Sequence, residues 1–316
     1  MKPESARHFT RISQLTLAFV FLVIIAGAVV RATGSGMGCP DWPKCFGKWI
    51  PPTDVSQLPA DYKERYAGEH HAVAEFNAAN TWTEYINRLC GAILGILIFI
   101  QFVMSVKFRK VDKKIVLLSL LELLLIGFQG WLGAKVVSSN LAPVKITIHM
   151  VVALVILSVA IAIIHKTRNL SGRVADSTVK KGIKTMSIIV LLLTIIQIML
   201  GTQVREAVDQ LLGNFDPSFR GEIVDHIGTS FLVHRSFSII ILVVNIYMVR
   251  LLLASDVSES LKSYAKWLGA FVLLEVLAGV ILSRFALPAP VQPVHLLLGC
   301  IIYALQFVVI LRVLRK

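Results

Sequence analysis

Eight stretches of this chain, near 14–32, 83–106, 115–135, 146–165, 185–205, 228–250, 266–284 and 293–312, are apolar and long enough to cross a bilayer. A hydrocarbon core of about 30 Å needs about 20 apolar residues in a helix. Inside it the backbone must satisfy its own hydrogen bonds, which a helix does. The chain is 56% hydrophobic, far above a soluble domain. The first stretch is too long, and too lacking in a small-residue cleavage site, to read as a removable leader.

Charge orients the spans. If they alternate, 20 of the 32 Lys and Arg fall on one side, among them Lys107, Arg109, Lys110, Lys113 and Lys114 in the second connection. Cations collect on the cytoplasmic side. The expected class is therefore all-α integral membrane: eight transmembrane helices as two tandem four-helix bundles, both termini cytoplasmic. The net charge of +13 reads as topology. Nucleic acid is excluded as a partner, because the basic connections lack interleaved aromatics for stacking.

The division expected is an N-terminal half at 1–168, a cytoplasmic linker at 169–184 and a C-terminal half at 185–316. The first outer connection, 33–82, is long and acidic, and a connection of that length is more often functional than a linker. The third, about 206–227, is acidic too.

The halves read as a repeat. Val30-Arg31 matches Val204-Arg205, and Asn87-Arg88 matches His234-Arg235. Leu121-Glu122 matches Leu274-Glu275, Lys135 falls where Arg284 falls, and His149 matches His295. Histidine inside a span is costly and usually functional. His149, His234 and His295 each lie about 15 residues before the cytoplasmic end of their span, roughly 23 Å at 1.5 Å per residue. Two such helices facing each other at one depth are how a membrane bundle holds a heme iron. Arg31, Arg88, Arg205, Arg235, Lys135 and Arg284 gather at the same level. They are candidates either for heme propionates or for snorkelling at the interface.

"GSGMGCPDWPKCFG" after the first span, "EYINRLCGA" in the second, and lone histidines opening the fourth and eighth resemble the heme A synthase family. The resemblance covers essentially the whole chain. It implies oxidation of a ring methyl of heme O to a formyl group, giving heme A for cytochrome oxidase. It implies heme b in the C-terminal half between His234 and His295 as axial ligands. Heme O as substrate would lie in the N-terminal half, with Arg88 beside it; from the layer of cations, Arg31, Arg205 and Arg235 are the further propionate candidates of the two hemes. The family's Glu-x-x-His-Arg motif reads Glu84-Tyr85-Ile86-Asn87-Arg88 here, so asparagine stands where an axial histidine is expected. His149 is the remaining ligand. Three arrangements follow: a five-coordinate substrate heme, a sixth ligand from His70 or His71, or a water held by Asn87.

Glu84 is the candidate for proton transfer, one helical turn before Asn87. The matching residue in the second half is Phe231. Cys39 and Cys45 lie in the outer connection, where a disulfide forms readily; it would be either a structural staple or a thiol–disulfide step. The acids Glu122 and Glu275 are expected to join helices or to line a proton path. Redox power has to come from heme and an external electron acceptor or quinone. Membrane lipid and a heme O synthase complete the expected partners, in a bacterial inner membrane with the hemes toward the outer face. A diheme cytochrome b-type carrier would use the same histidines without Glu84.

Overall fold

The computed structural model describes residues 3–66, 75–139, 141–170, 181–214 and 223–314. His70, His71 and most of the 169–184 linker lie outside the described residues. Among the described residues the chain is helical, with one isolated bridge between Cys45 and Lys48. The helices are α1 (Pro3–Ala32), α2 (Tyr62–Arg65), α3 (Ala78–Ser105), α4 (Lys113–Ser138), α5 (Pro143–Leu170), α6 (Lys181–Asn214), α7 (Ile223–His226), α8 (Thr229–Leu253), α9 (Glu259–Arg284) and α10 (Val291–Val313). Eight of them are long and apolar enough to cross a membrane, one for each stretch read from the sequence.

The helices outrun the apolar stretches because their ends are polar and capped. The side chain of Asn77 accepts from the Asn80 amide to start α3. Asp112 does the same for Lys114 at α4, and Ser258 for Leu261 at α9. Such caps satisfy the first free amides of a helix. Within the spans Ser13, Thr16, Ser187 and Thr167 return their hydroxyls to the carbonyl four residues earlier, so they add no unsatisfied donor in hydrocarbon. The third outer connection is partly helix rather than loop, since α6 runs on to Asn214 and α7 follows at Ile223.

The chain divides into two compact units, residues 1–160 and 161–316, the boundary falling within α5. In the first unit α3 packs against α1 and α4. In the second, α6, α8, α9 and α10 close a ring, each helix touching two neighbours. Its core at one end is Ile183, Val190, Met248, Leu252, Leu261, Ala265, Val309 and Val313.

The local structure fixes the register between α4–α5 and α9–α10. Helices α4 and α9 have the same length of 26 residues. Each is followed by a turn with a leucine at positive φ, Leu141 at 59° and Leu287 at 55°. The Leu141 amide donates to Val136 and the Leu287 amide to Leu282. This places Gln129, not Glu122, at the position of Glu275, and Ser138 at the position of Arg284. The expected pairings of Glu122 with Glu275 and of Lys135 with Arg284 are thus wrong. Similar local context had aligned them, but the shared turn sets a different offset.

Glu122 instead faces Gln101, whose Nε2 donates to Glu122 Oε2 at 2.5 Å. Both are buried. In the second unit the positions matching Gln101, Ser105, Ser119 and Glu122 hold Met248, Leu252, Ala265 and Leu268, all buried. One unit therefore carries polar side chains where the other carries an apolar core.

Candidate functional site

The first turns of α3 form a clamp on the connection that follows α1. Cys39 and Cys45 are joined in a disulfide. The ring they close is folded on Asp41, whose carboxylate accepts from the Phe46 and Gly47 amides at 2.6 and 2.8 Å. Phe46 packs edge-on against Tyr62, Tyr66 and Phe76. From α3, Thr81 donates to the Gly38 carbonyl at 2.9 Å, Trp82 to Pro52 at 3.2 Å and Tyr85 to Trp49 at 2.6 Å. A Cβ on Gly38 would lie 2.5 Å from the Asn80 carbonyl oxygen, so only glycine permits this approach.

Glu84 and Arg88 complete the clamp. Glu84 is 3% exposed. Its Oε2 accepts from the Cys39 amide at 2.9 Å, and its Oε1 from Arg88 Nε and Nη2 at 3.1 and 2.5 Å. Arg88 Nη1 donates to the carbonyls of Asp41 and Lys44 at 2.6 and 3.0 Å. Its Nη2 also donates to Cys39 at 2.9 Å. A guanidinium has five N–H donors, so Arg88 is fully engaged by Glu84 and the disulfide ring. Arg205 is held by Asp209 at 2.6 Å and by Gln292 Oε1. Arg235 is exposed and lies over the Phe231 ring at 5.5 Å. Arg31 ends α1.

The histidines share one local arrangement. A Cβ built on Gly133 would lie 3.5 Å from His149 Cε1, on Gly201 3.4 Å from His234 Cε1, and on Gly279 3.3 Å from His295 Cε1. Gly27 stands in the same relation to Asn87, at 3.8 Å from Oδ1. Small residues let one helix approach a side chain on the next. One turn before each glycine sits Val23, Gln129, Gln197 or Glu275. Gln129 donates to the His149 carbonyl at 3.0 Å and Gln197 to the His234 carbonyl at 3.2 Å. Glu275 Oε2 lies 3.2 Å from His295 Nδ1. Sequence reasoning missed Gln129 and Gln197 and misplaced Glu275. The signal was present as "QGWLG", "QIMLG" and "EVLAG", a polar residue four before a glycine in α4, α6 and α9.

These positions fit a macrocyclic iron. Nδ1 of His149, His234 and His295, and Oδ1 of Asn87, are buried without a hydrogen-bond partner, an arrangement that proteins otherwise avoid. The rings of His234 and His295 lie 6.4 Å apart, centre to centre, at 76°. Two metal–imidazole bonds of about 2 Å each, plus the two half-rings, span about 6 Å. Among the described residues no three His, Cys, Asp or Glu side chains converge on one point. Two imidazoles suit an iron whose other positions are filled by its own ring.

Residues 10–307 match the model of a family described as cytochrome oxidase assembly protein. The chain belongs to that family. Heme A synthase of Shewanella oneidensis is 31% identical over 194 residues, 61% of this chain and 56% of that protein. Heme A synthase of Granulibacter bethesdensis is 27% identical over 200 residues, 59% and 53% respectively. The chain thus spans little more than half the length of these two relatives. Against heme A synthase of Bartonella bacilliformis the identity is 21% over 315 residues, 88% of this chain and 85% of the relative.

Proposed function

We propose that this member of the family is a heme A synthase, an enzyme that oxidises a ring methyl of heme O to a formyl group for use in cytochrome oxidase. The observation that carries the proposal is the inequality of two otherwise repeated sites. The second unit sets two imidazoles 6.4 Å apart, a spacing that would admit an iron between them. The first unit has Asn87 and His149 at the matching positions, with the buried carboxylate of Glu84 one turn before Asn87 and nothing ionisable at the matching Phe231.

Methyl-to-formyl conversion is two successive two-electron oxidations with gain of one oxygen atom. It releases protons and needs an external acceptor for the electrons. In the first half His149 would hold the substrate heme, and Asn87, a poor iron ligand, would leave room for water or a second ligand. Glu84 accepts protons at Oε1 or Oε2, the carboxylate being kept in place by Arg88 and the Cys39 amide. Because Arg88 already spends its donors on Glu84 and the disulfide ring, its part is to shape the site's outer wall, and in the second half the exposed Arg235 beside His234 is the candidate propionate partner. In the second half His234 and His295 would hold heme b, which when bound would supply one-electron transfer. The setting is a bacterial inner membrane with both termini cytoplasmic and the hemes toward the outer face. A heme O synthase is the natural source of substrate.

The test is to express the chain with and without a heme O source, purify it, and separate the extracted hemes by chromatography. Heme b alone in the first case, joined by heme A in the second, is the expected result. Heme b that stays unmodified despite a confirmed heme O supply overturns the proposal in favour of a plain electron carrier.

A further inference from the structure

The four glycine-backed positions differ most in the residue one turn before the glycine. At Asn87 that residue is Val23, at His149 Gln129, at His234 Gln197 and at His295 Glu275. Each of the two amides donates to the carbonyl of its own histidine, and Gln197 Nε2 also lies 3.5 Å from His234 Nε2. Glu275 alone brings a carboxylate to a ring, with Oε2 at 3.2 Å from Nδ1.

The neighbouring helix leaves room for this carboxylate. A Cβ on Gly299, one turn after His295 in α10, would lie 3.5 Å from Glu275 Oε1, so the acid lies against α10 where that helix carries no side chain. The matching place after His149 holds Ala153, which is also small. Small residues are thus common to both units, and the acid is what sets His295 apart. Neither Glu275 Oε2 nor His295 Nδ1 has a hydrogen-bond partner in this structure; the two atoms face each other at 3.2 Å, within hydrogen-bond reach once the ring turns toward the acid.

We propose that Glu275 is a positioning residue for the axial imidazole of His295, and that its negative charge holds the heme of the second half at a lower reduction potential than a neutral neighbour would. The inference rests on the reading of His234 and His295 as heme ligands. An ionised carboxylate only accepts hydrogen bonds. A hydrogen bond across the 3.2 Å gap would make Nδ1 the donor, and that Nδ1–H tautomer would leave Nε2 with a free lone pair for iron. A carboxylate behind a ligating imidazole fixes the ring and raises its basicity. A more basic ligand stabilises ferric over ferrous iron. The charge acts at short range in a medium of low dielectric, where it is screened least. His234, backed by Gln197, lacks this influence, so the two axial ligands of one iron are unequal donors. A heme poised low hands electrons on more readily to an external acceptor.

The experiment compares purified wild type with Glu275→Gln, Glu275→Asp and Gln129→Glu. Heme b content is measured first, then the midpoint potential by spectroelectrochemical titration and the ferric low-spin signal by electron paramagnetic resonance. Glu275→Gln is expected to keep its heme, to rise in potential and to change the spread of its ferric g-values. Glu275→Asp should stay on the wild-type side, and Gln129→Glu should leave the second-half heme unchanged. A Glu275→Gln protein with full heme and an unshifted potential overturns the inference. Should that variant bind no heme, Glu275→Asp decides: heme held near the wild-type potential supports the charge, and equal loss from both variants overturns it. Wild-type protein without heme b would sink the functional reading instead, and is recognised before any potential is measured.

Discussion

Arg88 Nη2 donates to the carbonyl of Cys39 across 49 positions of sequence. With the bonds to Asp41, Lys44 and Glu84, this makes one α3 side chain the fastening of the disulfide ring.

Lysine at this position cannot replace a fork of five donors. Arg88→Lys should loosen residues 39–48, read as faster amide hydrogen exchange there than in α3. Arg88→Ala should be worse, because it leaves Glu84 buried without its partner. Breaking such a pair costs about 3–5 kcal/mol. Exchange in the 39–48 segment equal to wild type in both variants would refute the fastening role.

Removing the disulfide should have a smaller effect. Its cysteines are six positions apart, and closing so short a ring is worth about 2–3 kcal/mol at most. Cys39→Ser with Cys45→Ser should lower Tm while Arg88 still holds the backbone carbonyls. Joined with Arg88→Ala, the loss should exceed the sum of the parts, since the two fastenings share one loop.

Added bulk at the notched glycines should displace the histidines. Gly279→Leu meets His295, since even a Cβ there would lie 3.3 Å away. Heme retention should fall several-fold while helicity by circular dichroism is kept. Gly95→Ala, where a Cβ meets nothing within 4 Å, should change neither and serves as the control.

Glu122 and Gln101 invite a swap with the second unit. Glu122→Leu alone strands the Gln101 amide, and an unsatisfied buried donor costs about 1–3 kcal/mol. Gln101→Met with Glu122→Leu, copying Met248 and Leu268, should recover most of that loss in thermal unfolding. A double variant no better than the single would show that the pair does more than join α3 to α4.

Tyr66 supplies a pH test of the outer loop. Burial, then the charge of Asp41, pushes its phenol above the usual value of 10.0. The folded loop thus favours the neutral phenol, so this contribution is intact below the unfolded value and is lost as pH rises through the folded one. Tyr66→Phe should flatten the alkaline limb of loop stability, followed by amide exchange at Phe46.

The spans were legible because hydropathy alone locates a membrane helix. Their ends were not, since Lys113, Glu259 and Arg284 are charged yet helical. The histidines stood out for the same reason as the spans, as polar residues in apolar runs. The pairing of Glu122 with Glu275 failed because each follows a leucine in a similar apolar run, whereas register is set by the turn at Leu141 and Leu287. Arg88 was read as facing a ligand because its true partners are backbone carbonyls of Cys39, Asp41 and Lys44. A carbonyl has no signature in sequence, and its position waits on the fold of the loop. The notches at Gly133, Gly201 and Gly279 were legible in principle, through the polar residue four positions before each.

Gly27 leaves beside Asn87 the same kind of notch that Gly133, Gly201 and Gly279 leave beside histidines. A glycine there puts no side chain of α1 in the way of a larger ring, so an imidazole at position 87 would not first require α1 to be rebuilt. An asparagine codon and a histidine codon differ by a single base, so a chain with a second notch-backed histidine in its N-terminal half and a chain without one are neighbours in sequence space.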